Sequence, residues 1–170
     1  MKIFWFTLAG ILVLVPGADY AQQSSDTGVT PVPPALTRAK SIFISNAGAD
    51  SGLFPHPFSG APDRAYNEFY EDVEKMGRFN LVGSPDEADL ALELRLHAPS
   101  GPSNGDKSKG ASDPLPMFRL VIWDRRTHYA LWALTESIEQ ANLQKTHDHH
   151  FDEAIDALTQ GLRKISAPTP

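Results

Sequence analysis

The stretch DLALELRLHA, at residues 89–98, alternates between polar and apolar side chains. Successive side chains of a β-strand point to opposite faces of the sheet, so this alternation predicts a strand with one buried face and one polar face. The buried face carries only leucines, which are Leu90, Leu92, Leu94 and Leu96. Because such a leucine row must be shielded from water, the chain needs a second layer that packs on one face of a sheet.

Two amphipathic helices are predicted to supply that layer. The first lies within residues 63–79, and its apolar side chains recur at helical spacing. They are Tyr66, Phe69, Val73 and Met76. The second covers residues 148–166, and its apolar stripe consists of Phe151, Ile155, Leu158, Leu162 and Ile165. Acidic residues near the amino end of the second helix and basic residues near its carboxyl end favour the helix dipole.

The remaining strands complete the sheet. Runs of β-branched and aromatic residues predict strands at 40–45 and 78–83, and residues 117–124 and 129–139 predict a hairpin around the turn RRTH. The order is β-α-β-β-β-β-α. We interpret it as an α/β (α+β) fold with a single mixed sheet of about five strands and both helices packed mainly on one face. The connection at residues 99–116 is low in complexity and is predicted to be a mobile loop.

The register of the hairpin decides which side chains share a face of the sheet. Pairing Asp124 with Tyr129 places Val121 opposite Trp132. In that register Trp123 and Trp132 both lie on the face opposite the leucine row. The two helices cover the leucine row, so something else must cover the two tryptophans.

This second face is our candidate binding surface, since tryptophan and arginine are enriched at binding hot spots. Its residues are Trp123, Trp132, Arg119 and Arg95. The partner we expect is another protein or a peptide. The alternative is that the loop at residues 46–62, which holds Phe54 and Phe58, packs over the tryptophans.

The amino terminus has the order of a secretory signal peptide over residues 1–21. Lys2 is a basic start, residues 3–16 are an apolar stretch, and small residues precede a polar segment. We expect cleavage after Ala21, with Ala18 as the alternative site. The apolar stretch is shorter than the roughly 20 residues that span a membrane, so no membrane span is expected after cleavage.

Three regions are therefore predicted, a signal peptide, a tether and a domain. Residues 22–37 are rich in Pro, Ser and Thr and are typical of a tether, and residues 38–167 form a single α/β domain. The chain has no cysteine, which excludes disulfides and the cysteine-borne anchor of a bacterial lipoprotein. We expect a periplasmic or secreted protein.

The charge of the chain is mildly acidic, with 15 basic and 21 acidic residues and a net charge of −6. Nucleic-acid-binding proteins usually carry a basic face, so no nucleic-acid partner is expected. No pattern indicates a cofactor or a set of catalytic residues, and we expect neither. The oligomeric state is left open between a monomeric binder and a self-associating module.

The segment KTHDHH holds three of the six histidines and raises the question of a metal site. His149 and Glu153 are four residues apart and share one side of a helix, and His147 is a third weak candidate ligand. A helix turns about 100° per residue, so the three rings fan around it instead of converging. A small metal-dependent enzyme or hydrolase that uses residues 147–150 is the alternative to a binding role, and it requires His128, His147, His149 or His150 to converge with a carboxylate in a cleft.

Three segments resemble small exported bacterial envelope domains: SPDEADLALELRLHA, FRLVIWDRRTHYALWALTESIE and FDEAIDALTQGLRKI. The layout over residues 40–166 is similar to the amino-terminal domain of TolB and to CsgG-like and LpoB-like modules. The motifs that carry the resemblance are EADL, WDRRT and ALW. It implies a non-catalytic binding or assembly role in the envelope and transfers no active-site residue. Where the family turn has Gly after Thr127, this chain has His128.

Overall fold

The leucine row forms the middle strand of a five-stranded mixed sheet, in the computed structural model that describes residues 31–99 and 115–167. The strands are β1 (Ser41–Ala49), β2 (Asn80–Leu81), β3 (Leu90–His97), β4 (Met117–Asp124) and β5 (Ala130–Ser137). Their spatial order is β2-β1-β3-β4-β5. β1 is parallel to β2 and β3, whereas β3, β4 and β5 are antiparallel. The predicted fold class is confirmed.

Three helices accompany the sheet. They are α1 (Pro34–Arg38), α2 (Arg64–Met76) and α3 (Gln144–Ser166). A short 3-10 helix, Pro85–Glu87, precedes β3, and the hydroxyl of Ser84 caps it by accepting a bond from Asp86 N. Within the described residues, no helix is both long and apolar enough to cross a membrane.

The two long helices pack on the leucine row, as the sequence predicts. Phe69 and Val73 of α2 are fully buried, as are Phe151 and Leu158 of α3, and all four belong to one core with the leucines of β3. The ring of Phe151 meets that of Phe118 on β4 edge-on, with centroids 4.9 Å apart. The apolar face of each helix therefore shields the same side of the sheet, which we call the covered face.

Arg64 links the two long helices. Its guanidinium donates to Asp148 Oδ1 at 2.7 Å and Glu68 Oε1 at 2.7 Å, and it also contacts Asp152. Its Cζ lies 4.3 Å from the centre of the Phe151 ring. The side chain is only 15% exposed, so these bonds form where water competes little for them.

The amino-terminal part of the domain begins earlier than the sequence predicts. The predicted tether includes residues 34–37, but α1 is helical and its Leu36 is 1% exposed in the core. The guanidinium of Arg78 holds this segment by donating to Thr37 O at 2.7 Å and to Ala39 O at 2.9 Å. A five-residue helix is too short to show an apolar period. The predicted signal peptide and most of the tether, within residues 1–30, lie outside the described residues, as does most of the predicted loop, residues 100–114.

The hairpin register is where the prediction is wrong. The turn itself is as expected, since Asp124 N donates to Tyr129 O at 2.9 Å. However, Trp123 pairs with Ala130 and Ile122 pairs with Trp132, which leaves Leu131 as an extra residue on β5. This β-bulge shifts the rest of β5 by one position, and a shift of one residue moves every following side chain to the other face.

The bulge separates the two tryptophans. Trp132 lies on the covered face and packs against the core. Leu134 lies on the same side, where a Cβ added to Gly161 of α3 would sit 3.4 Å from its Cδ1. Trp123 faces the other side, together with Val121. The predicted pairing of the two indoles on one face is therefore overturned.

The loop between β1 and α2 packs back onto the domain, as predicted, but on the helices. Leu53 and Phe58 are 5% and 1% exposed. The rings of Phe54 and Phe58 lie 6.2 and 5.2 Å from the ring of Phe151. These aromatic side chains therefore belong to the helix layer. The alternative in which they cover Trp123 is wrong.

Candidate binding surface on the open face

The side of the sheet opposite the helices, which we call the open face, is built by alternate residues of β3 and β4. The register places Ala91 opposite Trp123, Glu93 opposite Val121, and Arg95 opposite Arg119. One end of this face is therefore apolar and the other end is charged. Three of the four predicted binding-surface residues, Arg95, Arg119 and Trp123, lie here, and the fourth, Trp132, lies on the covered face.

Trp123 sits between two small residues, Ala91 on β3 and Ala130 on β5. Its indole borders a groove of about 820 Å³. The groove is lined by Pro85, Asp86, Ala91, Glu93, Trp123, Asp124, Arg125, Arg126 and His128. The indole nitrogen, Nε1, is buried and has no hydrogen-bond partner among the groups that the structure describes. A buried donor without an acceptor costs about 1–3 kcal/mol.

The hairpin turn forms one wall of the groove and is held by Asp124. The Asp124 carboxylate accepts bonds from Arg126 N and from Thr127 Oγ1, both at 2.9 Å. The bond from Thr127 is the main cause that lowers the pKa of Asp124 below its ordinary value. His128 adopts φ 60°, a left-handed conformation that glycine takes more easily. The chain therefore makes this turn with a histidine in a conformation that usually favours glycine.

The arginines of the turn project into the groove region with weak internal contacts. Counting only residues 31–99 and 115–167, the shortest ion pair of Arg125 spans 3.7 Å to Asp86, and that of Arg126 spans 4.0 Å to Asp124. Their side chains are 45% and 84% exposed. Guanidinium groups form stronger, often paired bonds with a carboxylate at closer range, so these two have donors to offer a partner.

A second cavity of about 570 Å³ adjoins the groove and shares Asp124, Arg125 and Arg126 with it. Arg38 and Lys40 also line it. Its other carboxylate, Asp89, accepts bonds from Lys40 N at 2.8 Å and Ser41 N at 3.0 Å. These backbone bonds lower the pKa of Asp89. Asp89 and Asp124 therefore already accept bonds from neighbouring parts of the chain, and the cationic side chains of Arg125 and Arg126 lie beside them.

The charged end of the open face is organised by Asp50. Its carboxylate accepts from Arg95 at 2.7 Å and from Ala98 N at 3.0 Å, and it lies 2.6 Å from Nδ1 of His97. The bond from Arg95 is the largest cause that lowers the pKa of Asp50 from 3.8 to about 2. Arg95 therefore has a structural partner, and exposed Arg119 stands directly across from it.

The histidine-rich segment is helical throughout, because α3 begins at Gln144. His147 meets the ring of Phe58 edge-on at 6.0 Å, and Nδ1 of His150 lies 3.1 Å from Glu139 O. His149 Nε2 lies 3.3 Å from Glu153 Oε1 on the helix surface. The rings of His149 and His150 lie 6.2 Å apart, but each of the three histidines contacts a different further residue. Within residues 31–99 and 115–167, no group of three or more His, Cys, Asp or Glu side chains is placed to hold a metal ion.

Sequence reasoning missed two parts of this surface. Arg125 and Arg126 read as ordinary turn residues in the sequence. Their position directly after the strand that carries Trp123 could have placed them on the predicted surface. Asp50 gives no signal, because the residues it bonds lie 45 to 48 positions further along the chain.

The protein is a single α+β domain in which the helices pack on one face of the sheet. No protein-family model matches the chain, and no curated protein matches it in sequence. Solved structures do match in three dimensions. A PelC dodecamer from Paraburkholderia phytofirmans is 11% identical with a TM-score of 0.47, and the match covers 82% of this chain and 94% of PelC.

Two further matches have similar identities. A Xanthomonas campestris protein described by the family model DUF330 is 14% identical with a TM-score of 0.44, over 73% of this chain and 81% of that one. TolB from Acinetobacter baumannii is 12% identical with a TM-score of 0.34, over 73% of this chain and 29% of TolB. TolB is among the proteins that the sequence motifs resemble, whereas PelC and DUF330 are not. At these TM-scores, the matches carry no argument about function.

Proposed function

We propose that this protein is an exported, non-catalytic binding domain of the bacterial envelope that holds an extended peptide segment of another envelope protein on its open face. The observation that carries the proposal is Trp123, whose indole borders the groove while its N–H lacks an acceptor in the described residues. Tryptophan and arginine dominate the energetics of many protein interfaces. Here Trp123 lies beside Arg125 and Arg126.

The chemistry of the groove favours a particular kind of segment. Its floor, Ala91 and Trp123, suits one apolar or aromatic side chain. Its lining presents the guanidinium groups of Arg125 and Arg126, which suit a carboxylate in the segment, and also the carboxylates of Asp86 and Glu93, so the acidic residue of the segment must lie on the side of the two arginines. The volume of about 820 Å³ is within the usual range for ligand sites and accommodates a few residues.

Export rests on the sequence of the amino terminus. Residues 1–21 follow the order of a signal peptide, and the chain has no cysteine that could be lipidated. The periplasm or the extracellular space is therefore the compartment we propose. Fusion of residues 1–30 to a reporter that is active only after export, compared with the same fusion lacking residues 3–16, tests this part. Equal activity of the two fusions would contradict export.

Selection from a displayed library of random twelve-residue peptides tests the binding proposal. We expect enriched peptides to combine an apolar or aromatic residue with a nearby Asp or Glu. Synthetic copies should bind the purified protein with micromolar affinity, measured by fluorescence anisotropy, and copies with Asp and Glu replaced by Asn and Gln should bind more weakly.

Two variants separate the open face from the covered face in the same assay. Trp123→Ala should weaken binding of the enriched peptides at least tenfold, whereas Trp132→Phe, on the covered face, should leave binding unchanged. Arg125→Gln with Arg126→Gln should weaken acidic peptides and spare their neutral copies. Peptides whose affinity is the same for Trp123→Ala and for the unaltered protein would overturn the assignment of the groove.

A further inference from the structure

The cavity that adjoins the groove at the hairpin turn, which we call the cationic cavity, carries a charge opposite to that of the whole chain. Its volume is about 570 Å³. Its lining includes four basic side chains and two acidic ones, which are Arg38, Lys40, Arg125, Arg126, Asp89 and Asp124. Four positive and two negative charges leave the lining at +2, whereas the whole chain has a net charge of −6.

The two carboxylates of the cationic cavity anchor the backbone that carries its basic side chains. Oδ2 of Asp89 accepts bonds from Lys40 N at 2.8 Å and from Ser41 N at 3.0 Å. Oδ1 of Asp124 accepts a bond from Arg126 N at 2.9 Å. Each acid therefore fixes one of the two segments that bring positive charge to the cavity.

The segment that carries Arg38 and Lys40 is also held from the other side. The guanidinium of Arg78 donates to Thr37 O at 2.7 Å and to Ala39 O at 2.9 Å, which are the residues before and after Arg38. The exposed side chains of Arg38 and Lys40 therefore start from a fixed backbone. A ligand that binds them does not have to order this segment first.

Within the described residues, the basic side chains of the cationic cavity have no close carboxylate partner. Arg38 and Lys40 form no ion pair there, and Nε of Arg38 donates to Pro34 O at 3.2 Å within α1. Arg125 reaches Asp86 at 3.7 Å, but that carboxylate is 90% exposed, so water screens the pair. The excess positive charge of the lining is therefore poorly balanced at short range by this part of the protein.

We propose that the cationic cavity binds a phosphate monoester. At neutral pH this group carries a charge of about −1.5 to −2 and three strong acceptor oxygens. One compact group therefore matches the lining charge of +2, and guanidinium groups form paired bonds with phosphate oxygens. A single carboxylate or a phosphate diester carries one negative charge, which leaves one positive charge of the lining unmatched. The cavity volume also accommodates the organic part of a small ester.

The phosphate site goes beyond the proposed peptide binding and can fail separately from it. Arg38 and Lys40 line the cationic cavity and not the groove, whereas Trp123 lines the groove and not the cationic cavity. The two cavities share the turn residues. Substitutions at the unshared residues therefore distinguish the two sites.

Equilibrium dialysis of the full chain, after removal of any signal peptide, against radiolabelled glycerol 3-phosphate tests the phosphate site. We expect one site with a dissociation constant of about 100 µM. Unlabelled inorganic phosphate should displace the label. Dimethyl phosphate, which has one negative charge on the same group, should compete at least tenfold more weakly. No bound label at millimolar ligand, or equal competition by dimethyl phosphate, would overturn the proposal.

Two double variants with the same change in net charge locate the site. Arg38→Gln combined with Lys40→Gln should weaken binding of glycerol 3-phosphate at least tenfold, with unchanged circular dichroism. Arg163→Gln combined with Lys164→Gln removes the same charge from the exposed end of α3 and should bind like the unaltered protein. Equal losses in the two double variants would contradict a specific site. Trp123→Ala should retain phosphate binding, and its loss there would overturn the assignment to the cationic cavity.

Vesicles decide whether the phosphate belongs to a lipid or to a soluble ester. Vesicles of phosphatidylcholine with phosphatidic acid present the same monoester on a membrane surface. Sedimentation of the protein with them, lost in the variant with Arg38→Gln and Lys40→Gln, would assign a lipid headgroup. Binding of glycerol 3-phosphate without such sedimentation would assign a soluble phosphate ester. Sedimentation that both double variants retain, without binding of glycerol 3-phosphate, would contradict the site.

Discussion

Trp123 and Trp132 lie nine positions apart in the sequence on the two strands of one hairpin, but on opposite faces of the sheet. Trp132 packs against the core beneath α3, with the leucines of β3. Trp123 borders a groove next to charged turn residues. The same residue type therefore serves packing on the covered face, whereas on the open face we propose that it serves recognition. The difference arises from one extra residue in β5.

The covered face consists almost entirely of apolar side chains that the helices bury, whereas the open face combines apolar residues with arginines and acids. Burial of an apolar side chain stabilises the fold roughly in proportion to the area removed from water. We therefore expect substitutions on the covered face to lower the free energy of unfolding more than those on the open face, where Val121 is the buried residue and the exposed side chains act chiefly on binding.

The largest effect is expected from Phe118, which is fully buried on the covered face against Phe151. Phe118→Ala leaves a cavity and should lower the free energy of unfolding by about 3–5 kcal/mol. Val121→Ala, on the open face of the same strand, should lower it by about 1.5 kcal/mol or less. Urea denaturation followed by circular dichroism measures both values. Equal losses would break the distinction between the two faces.

Arg64 is expected to have the next largest effect, because it joins α2 to α3 through two carboxylates of α3, Asp148 and Asp152. Arg64→Ala removes the ion-pair partner of Asp148, which keeps its bond from Ser59 N, and uncovers Phe151, so it should lower the free energy of unfolding by about 2–3 kcal/mol. Arg95→Ala, a matched removal on the open face, should cost about 1 kcal/mol or less, since that side chain is 53% exposed. A greater loss for Arg95→Ala than for Arg64→Ala would show that the open face contributes as much to folding as the covered face.

The tryptophans allow the most direct contrast in a single residue type. Trp132→Ala should lower the free energy of unfolding by about 2 kcal/mol, because the indole packs against the core. Trp123→Ala should cost about 1 kcal/mol, since the loss of packing is partly offset by removal of an unpaired buried donor. Thermal and urea denaturation of the two variants show which one loses more unfolding free energy. A larger loss for Trp123→Ala than for Trp132→Ala would count against the register of β5.

The smallest effect is a dependence on pH that arises at the charged end of the open face. The pKa of Asp50 is lowered from 3.8 to about 2, chiefly by the bond from Arg95. A lowered pKa in the folded state stabilises the protein above the unfolded value, and that stabilisation is lost as the pH falls through the folded value. The difference in unfolding free energy between the unaltered protein and Asp50→Asn should be constant from pH 7 to pH 5. It should shrink as the pH falls from about 4 to about 2, and a difference that is as large at pH 2 as at pH 7 would contradict the low pKa.

Local patterns predict the layered fold because they are strong at the elements that define it. The alternation of the leucine row and the stripes of α2 and α3 each require one buried face, and one-sided packing is the arrangement that buries all three. The grouping of Arg95, Arg119 and Trp123 on the other face follows from the same alternation in β3 and β4.

Other features depend on contacts that local patterns do not encode. The bulge at Leu131 lies in a run of apolar side chains. Both the bulged and the regular register place apolar residues on the covered face, so the sequence pattern does not distinguish them. α1 is held by Arg78, which lies about 40 positions further along the chain. The prediction puts Trp132 on the wrong face because it lacks the bulge. It makes the tether too long because it lacks the contact between Arg78 and α1.

Cysteine labelling along β5 tests most directly whether the helices cover only one face and which side chains of β5 they cover. The chain has no cysteine, so single substitutions at Ala133, Leu134 and Thr135 each give one reactive site. With a water-soluble maleimide under native conditions, Ala133→Cys and Thr135→Cys should react rapidly. Leu134→Cys, packed beside Gly161 of α3, should react at least tenfold more slowly. Rapid reaction at 134 with protection at 133 and 135 would restore the register without a bulge, return Trp132 to the open face, and contradict the separation of the two tryptophans.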